Sequence, residues 1–120
     1  MNNTGLVNAC AFLQAEKAGS LLETLVLLEL RKRDRTVCYF VNSGECDFVV
    51  QEKGEVVQAI QVCHTLTDEN RRRELAGLGA AMARFGLRRG VIVTLRQKDH
   101  IHIDGGEVAV MPAWAWCLEV

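Results

Sequence analysis

Residues 46–63 read CDFVVQEKGEVVQAIQVC, and the fold turns on how that stretch divides. CDFVVQ (46–51) and VVQAIQVC (56–63) are rich in β-branched residues and flank Lys53-Gly54, a turn signal, so together they predict a β-hairpin. Aspartate is depleted in strands, yet Asp47 stands directly ahead of Phe48-Val49-Val50. On the second strand Gln61 and Cys63 share one face, and Ile60 and Val62 the other. A three-residue loop, Lys53-Gly54-Glu55, sets Asp47 across from Gln61. A two-residue loop, Lys53-Gly54, pairs Asp47 with Ile60 and puts Asp47 and Gln61 on opposite faces. The sequence leaves both registers open.

Ahead of the hairpin, Gly19 to Arg33 has the apolar spacing of a helix. Ser20 is its N-cap, Glu23 completes a capping box, and Arg31-Lys32-Arg33 suits the negative end of the dipole. Leu6, Val7, Cys10 and Leu13 make residues 1–16 a helical lead-in. Thr36 to Val41 predicts a strand ending in the turn Asn42-Ser43-Gly44. Beyond the hairpin, a helix is expected from Asp68 to Phe85, capped by Thr67 and Asp68, carrying Leu75, Leu78, Met82 and Phe85 on one face and closed by Gly86. Gly90 to Leu95 is a near-continuous apolar run, the pattern of a central strand covered on both faces. His100–Asp104 and Glu107–Met111 form a second hairpin across Gly105-Gly106, and Pro112 opens a short helix. A helix between the third and fourth strands implies a crossover. The expected class is therefore α/β, an α-β-β-β-α-β core with a mixed sheet, plus a C-terminal hairpin and helix.

The 120 residues make one domain, 1–120, in which 49% of residues are hydrophobic and 24% charged. A net charge of -1 argues against a wholesale polyanion binder and leaves room for local basic patches. No apolar run, Leu25 to Leu28 included, approaches the length of a bilayer span, and no membrane association is expected. The five cysteines are odd in number and contain no CxxC pair, which predicts reduced thiols and a cytoplasmic location. The absence of GxxxxGK[ST] and GxGxxG excludes those routes to a nucleotide cofactor.

Two acidic residues are out of place for a purely structural role. Glu23 has Val26, Leu27 and Leu30 as helical neighbours, so its carboxylate stands in an apolar stripe; a capping-box role competes with an inward-facing one. Asp47 is the other. LLETLVLLELRKR (21–33), SGECDFVV (43–50), AIQVC (59–63), IVTL (92–95) and VMPAWAWCL (110–118) together resemble, in order and spacing, a restriction-endonuclease-like, or PD-(D/E)xK, domain. It is the kind found after the P-loop module of bacterial and archaeal ATPases, and the resemblance covers residues 5–118. Such domains surround a divalent cation with a helix glutamate, a hairpin aspartate and an acid-x-lysine on the next strand.

By position, the resemblance implies Glu23, Asp47, Gln61 and Cys63 as catalytic positions, with Glu23, Asp47 and Gln61 as ligands of Mg or Mn. It further implies that Glu23, Asp47 and Gln61 converge on one side of the sheet, and it implies DNA and a separate ATPase as partners. The acid is replaced by Gln61 and the lysine by Cys63, so hydrolysis is in question; the competing reading is an inactive binding or dimerisation module.

Arg84, Arg88, Arg89, Arg96 and Lys98 give a local +5 without an acid and are the candidate nucleic-acid-binding residues. His100, His102 and Asp104 alternate along one strand face, a spacing that suits a transition metal but more often marks the wet side of an edge hairpin. Trp114 and Trp116 lie two apart in an apolar segment and are the candidate homodimer interface, with burial in the core as the alternative.

Overall fold

The fold is that of a computed structural model, which describes residues 18–33, 36–40 and 46–119, with side chains over 21–33 and 48–119. The helical lead-in at 1–16 lies outside the described residues, as do the side chains of Cys38, Cys46 and Asp47. In chain order the elements are α1 (Ala18–Lys32), β1 (Thr36–Phe40), β2 (Cys46–Glu52), β3 (Glu55–Val62), α2 (Arg71–Phe85), β4 (Arg89–Thr94), β5 (Asp99–Ile103), β6 (Gly106–Pro112) and α3 (Ala113–Leu118). The six strands form one mixed sheet in the order β1-β2-β3-β4-β6-β5. β3 is parallel to β4 and β4 to β6, while the other pairs are antiparallel. This is the expected α/β architecture, and β4 is the interior strand that its apolar run predicts.

Each sheet face has its own core. Val49, Ala59, Cys63, Ile92, Val108 and Val110 meet Leu78, Ala81 and Met82 of α2 on one face. Phe48, Val50, Ile60, Val62 and Val93 meet Leu22, Val26 and Leu30 of α1 and Trp116 of α3 on the other. Burying a side chain of the Leu, Ile or Phe class contributes about 1.5–3 kcal/mol, so these layers dominate the favourable side of folding.

α2 begins at Arg71, later than expected, because residues 67–70 form a turn of their own. Asp68 does not cap the helix. Thr67 and Asn70 exchange bonds instead: the Thr67 amide donates to Asn70 Oδ1 at 2.8 Å, and the Asn70 amide donates to Thr67 Oγ1 at 3.2 Å. Gly86 closes α2 with φ +68°, as its position predicts.

The decisive hairpin combines features of both expected registers. Glu52 pairs with Glu55 across a two-residue loop, Lys53-Gly54, and both loop residues have positive φ (+53° and +81°), the sense of a type I′ turn. A β-bulge follows. Gln51 pairs with Val56, but Val50 pairs with Gln58, leaving Val57 without a cross-strand partner. The register beyond the bulge is the one a three-residue loop would have set, with Phe48 opposite Ile60; carried one step further, that register would set Asp47 against Gln61.

Candidate active site

Gln61, Cys63 and Glu74 come together where β3 ends and α2 begins, and Glu23 of α1 is within electrostatic reach of Glu74. β3 delivers Gln61 and Cys63 to the α2 face, because both alternate with Ile60 and Val62 of the opposite core. α2 delivers Glu74 from its first turn. The Gln61 side chain is buried, and its Nε2 donates to Glu74 Oε2 at 3.0 Å. The amide nitrogen thus faces the carboxylate, so Gln61 holds an acid in place.

Glu23 is half-buried on α1. Burial first, and the negative charge of Glu74 second, raise its carboxyl above the usual range. Two carboxylates within electrostatic reach in a partly dry setting repel each other, and a cation would relieve that repulsion. The Cys63 thiol is pushed up to about 11, chiefly by burial and then by the charge of Glu74, with the Thr65 backbone and Arg73 acting in the opposite direction; its Sγ donates to the Thr65 carbonyl at 3.2 Å. At neutral pH Cys63 is therefore a thiol, unsuited to nucleophilic attack or to soft metal ligation. Around the expected site, the donors available to a metal are carboxylate oxygens, which fit a hard divalent ion such as Mg²⁺ or Mn²⁺. Of the three positions expected to converge, Gln61 lies on the α2 face and Glu23 belongs to α1 of the other face, with only the charge of Glu74 linking them; the Asp47 side chain lies outside the described residues.

In the sequence Glu74 reads as the counter-charge of Arg71–Arg73. Its signal was the spacing: Leu78, one turn on, is fully buried, which turns Glu74 toward the sheet. The loops behind the site are tied down. Gln97 receives the Leu66 amide at 2.6 Å and donates to the Leu66 carbonyl at 2.8 Å, while Thr94 Oγ1 donates to the Gln97 carbonyl at 2.9 Å. Asn70 Nδ2 donates to the Thr65 carbonyl at 2.9 Å.

The five basic residues expected to form one surface are divided between the two ends of β4. Arg84, Arg88 and Arg89 lie where α2 ends and β4 starts, and Arg96 and Lys98 lie beyond its far end. Six residues of strand, about 20 Å, separate the groups. Because β3 and β4 are parallel, Arg96 and Lys98 are at the Gln61 end, which they share with the exposed Arg71, Arg72 and Arg73. The candidate tryptophan interface also divides: Trp116 is buried in its own core and Trp114 is 67% exposed. Their separation of about 200° around a helix forces that split.

Among known proteins, the chain is similar to an uncharacterized protein of Methanocaldococcus jannaschii, MJ1544, with 30% identity over 115 residues. The match takes in 87% of this chain and 26% of that protein, so the chain spans about a quarter of the length of the curated relative it matches. No family model and no solved structure matches the chain.

Proposed function

We propose that this chain is a divergent PD-(D/E)xK-type domain in which the charges missing from β3 are supplied by adjacent residues of α2. Glu74 stands in for the acid replaced by Gln61, and Arg73 for the lysine replaced by Cys63. The observation that carries the reading is the Glu74 carboxylate, held by Gln61 Nε2 at 3.0 Å and close enough to Glu23 to raise its pKa. Glu23 and Glu74 would hold Mg²⁺ or Mn²⁺, with Asp47 at the adjoining register position. Such an ion, when bound, neutralises phosphate charge and lowers the pKa of a water. The chain's own residues bind and orient a phosphodiester. Arg71, Arg72 and Arg73 are exposed in or beside the first turn of α2, where positive charge works against the helix dipole and favours an anion. Arg96 and Lys98 extend that surface toward β5.

The second reading, a nucleic-acid-binding module without hydrolysis, is favoured by Cys63: a neutral thiol stands where the lysine would be, and the nearby Arg73 is exposed rather than fixed. The same resemblance extends to a separate ATPase partner. A reducing, cytoplasmic setting is supported by the free thiols of Cys63 and Cys117. Among the described residues, no helix is long and apolar enough to cross a membrane.

One experiment separates the readings. Mn²⁺ binding and plasmid nicking are measured for wild type, Glu74→Gln, and Gln61→Glu with Cys63→Lys. The proposal expects Mn²⁺ binding that weakens roughly tenfold or more in Glu74→Gln, as for the loss of a metal-holding group. Nicking by wild type supports the hydrolase; nicking only after the double substitution supports the binding module. Mn²⁺ affinity unchanged by Glu74→Gln overturns the site.

A further inference from the structure

The sheet carries a second cluster of ligating groups, at the opposite end and on the opposite face from Glu74. β5 is an edge strand, and His100 and His102 project from it on the same side, since Ile101 between them belongs to the α2 core. The β5–β6 loop is Asp104-Gly105, one residue earlier than the glycine pair predicts, and Gly105 takes φ +85°. Two consequences follow from that shift. Asp104 becomes a turn residue and leaves the trio that the alternating pattern suggests. His102 comes opposite Glu107 of β6, and His100 opposite Ala109.

The ligating atoms of His100, His102 and Glu107 all lie within 4.8 Å of one another. His100 Nε2 stands 3.2 Å from Glu107 Oε2, and the two imidazoles meet edge to face at 5.0 Å between centroids. In a tetrahedral site with bonds of about 2.0–2.1 Å, neighbouring ligand atoms are about 3.3 Å apart, so the His100–Glu107 separation already matches one edge. Arg89 Nε pairs with the other carboxylate oxygen, Oε1, at 3.3 Å, which leaves Oε2 turned toward His100.

His100 and Glu107 also line an open groove of about 620 Å³ on the α1/α3 face, where Val91, Ala109 and Met111 form part of the floor and Trp116 stands in the wall. The helices of that face pack toward the β1–β3 side and the C-terminal end of β4, which leaves this corner of the sheet accessible.

We propose that His100, His102 and Glu107 form a three-ligand site for a transition-metal divalent cation, Zn²⁺ being the fitting ion, with its remaining coordination position open to the groove. Two neutral imidazoles and one carboxylate are a donor set that favours zinc over the hard ions suited to Glu23 and Glu74, and three protein ligands with a vacancy leave room for water or an exogenous ligand.

The test is calorimetric titration of the full chain with Zn²⁺, together with visible spectroscopy of its Co²⁺ form. The variants are His102→Gln, Glu107→Gln, the pair His100→Gln with His102→Gln, and Glu74→Gln as control. The expected result is one Zn²⁺ per chain and a Co²⁺ spectrum of four-coordinate intensity without thiolate charge transfer. Affinity falls roughly tenfold or more in each single ligand variant, is lost in the histidine pair, and is unchanged in Glu74→Gln. The histidines are exposed and Glu107 is partly so, and unchanged circular dichroism verifies that each variant folds. Stoichiometric Zn²⁺ binding that survives in the histidine pair, a thiolate signature in the Co²⁺ form, or no 1:1 binding by wild type each overturns the proposal.

Discussion

Glu23 is a residue whose ionisation works against the fold. Burial and the charge of Glu74 raise its folded pKa above the unfolded value, so the native state holds the proton more tightly. The stabilisation that goes with protonation is present below the unfolded pKa, declines as pH rises, and is gone above the folded pKa. Glu23→Gln removes that dependence. We expect the variant to melt at a higher temperature than wild type at pH 7, with the gap closing near pH 4; a gap that widens on acidification would contradict the shift. Saturating Mn²⁺ should also narrow the gap at pH 7, because a bound cation stabilises the ionised carboxylate that the variant lacks. At this scale the ionised carboxylate of Glu23 carries a cost in stability. Neither residue is conspicuous by type. What singled out Glu23 was an acid inside an apolar stripe, a signal that spacing alone makes legible. Glu74 stood beside three arginines, which supplied an ordinary explanation for it.

Elements meet closely at two glycines around the start of β4, and they differ in what a side chain would strike. A Cβ at Gly90 would lie 2.7 Å from Met82 Sδ and 2.9 Å from Leu78 Cδ2, both atoms at the ends of flexible side chains. A Cβ at Gly106 would lie 2.5 Å from the carbonyl oxygen of Arg88, which is backbone and already accepts the Glu107 amide at 2.9 Å. Side chains rotate away where a hydrogen-bonded strand does not. Gly106→Ala should therefore destabilise by about 1–3 kcal/mol or more, and Gly90→Ala by less, as read from urea midpoints. The reverse order would mean that the β4–β6 junction is looser than its register implies. The helices and strands themselves were largely legible, because periodicity and turn residues act locally. The starts of the hairpins were less so: Lys53 in a positive-φ position and the Asp104-Gly105 loop depart from the simplest glycine-centred reading.

For the whole molecule, α1 and α3 are joined by Arg33. Its Nε pairs with Glu29 at 2.9 Å, its Nη2 donates to the carbonyls of Trp116 and Cys117 at 3.1 and 3.0 Å, and its guanidinium lies over the Trp116 ring at 5.0 Å. This cation was one of a basic cluster in the sequence and proves to be a structural clamp on the last carbonyls of α3. Trp116 beneath it is core, so Trp116→Ala should cost about 3–5 kcal/mol. Trp114 and Leu118 are instead exposed on α3, and we propose them as the surface through which two copies associate. Sedimentation at tens of micromolar should give a wild-type dimer and a Trp114→Ala monomer of unchanged intrinsic stability. A wild-type monomer would remove the interface.

The sequence by itself determined the α/β class, the order of the elements, the interior position of β4, and the proximity of Asp47 to Gln61 as one of two possible registers. These rest on period, propensity and turn chemistry, which are properties of neighbouring residues. Tertiary structure alone decided three things. The bulge at Val57 converted a two-residue turn into the register that sets Phe48 against Ile60, because pairing along a whole strand outweighs the geometry of its loop. The packing of α2 across β3 brought Glu74 to Gln61, thirteen residues away. The shifted β5–β6 turn set Glu107 against His102 while taking Asp104 out of the strand. Each is a long-range or register event, in which a displacement of one residue reverses the face a side chain occupies, and no local pattern encodes that choice.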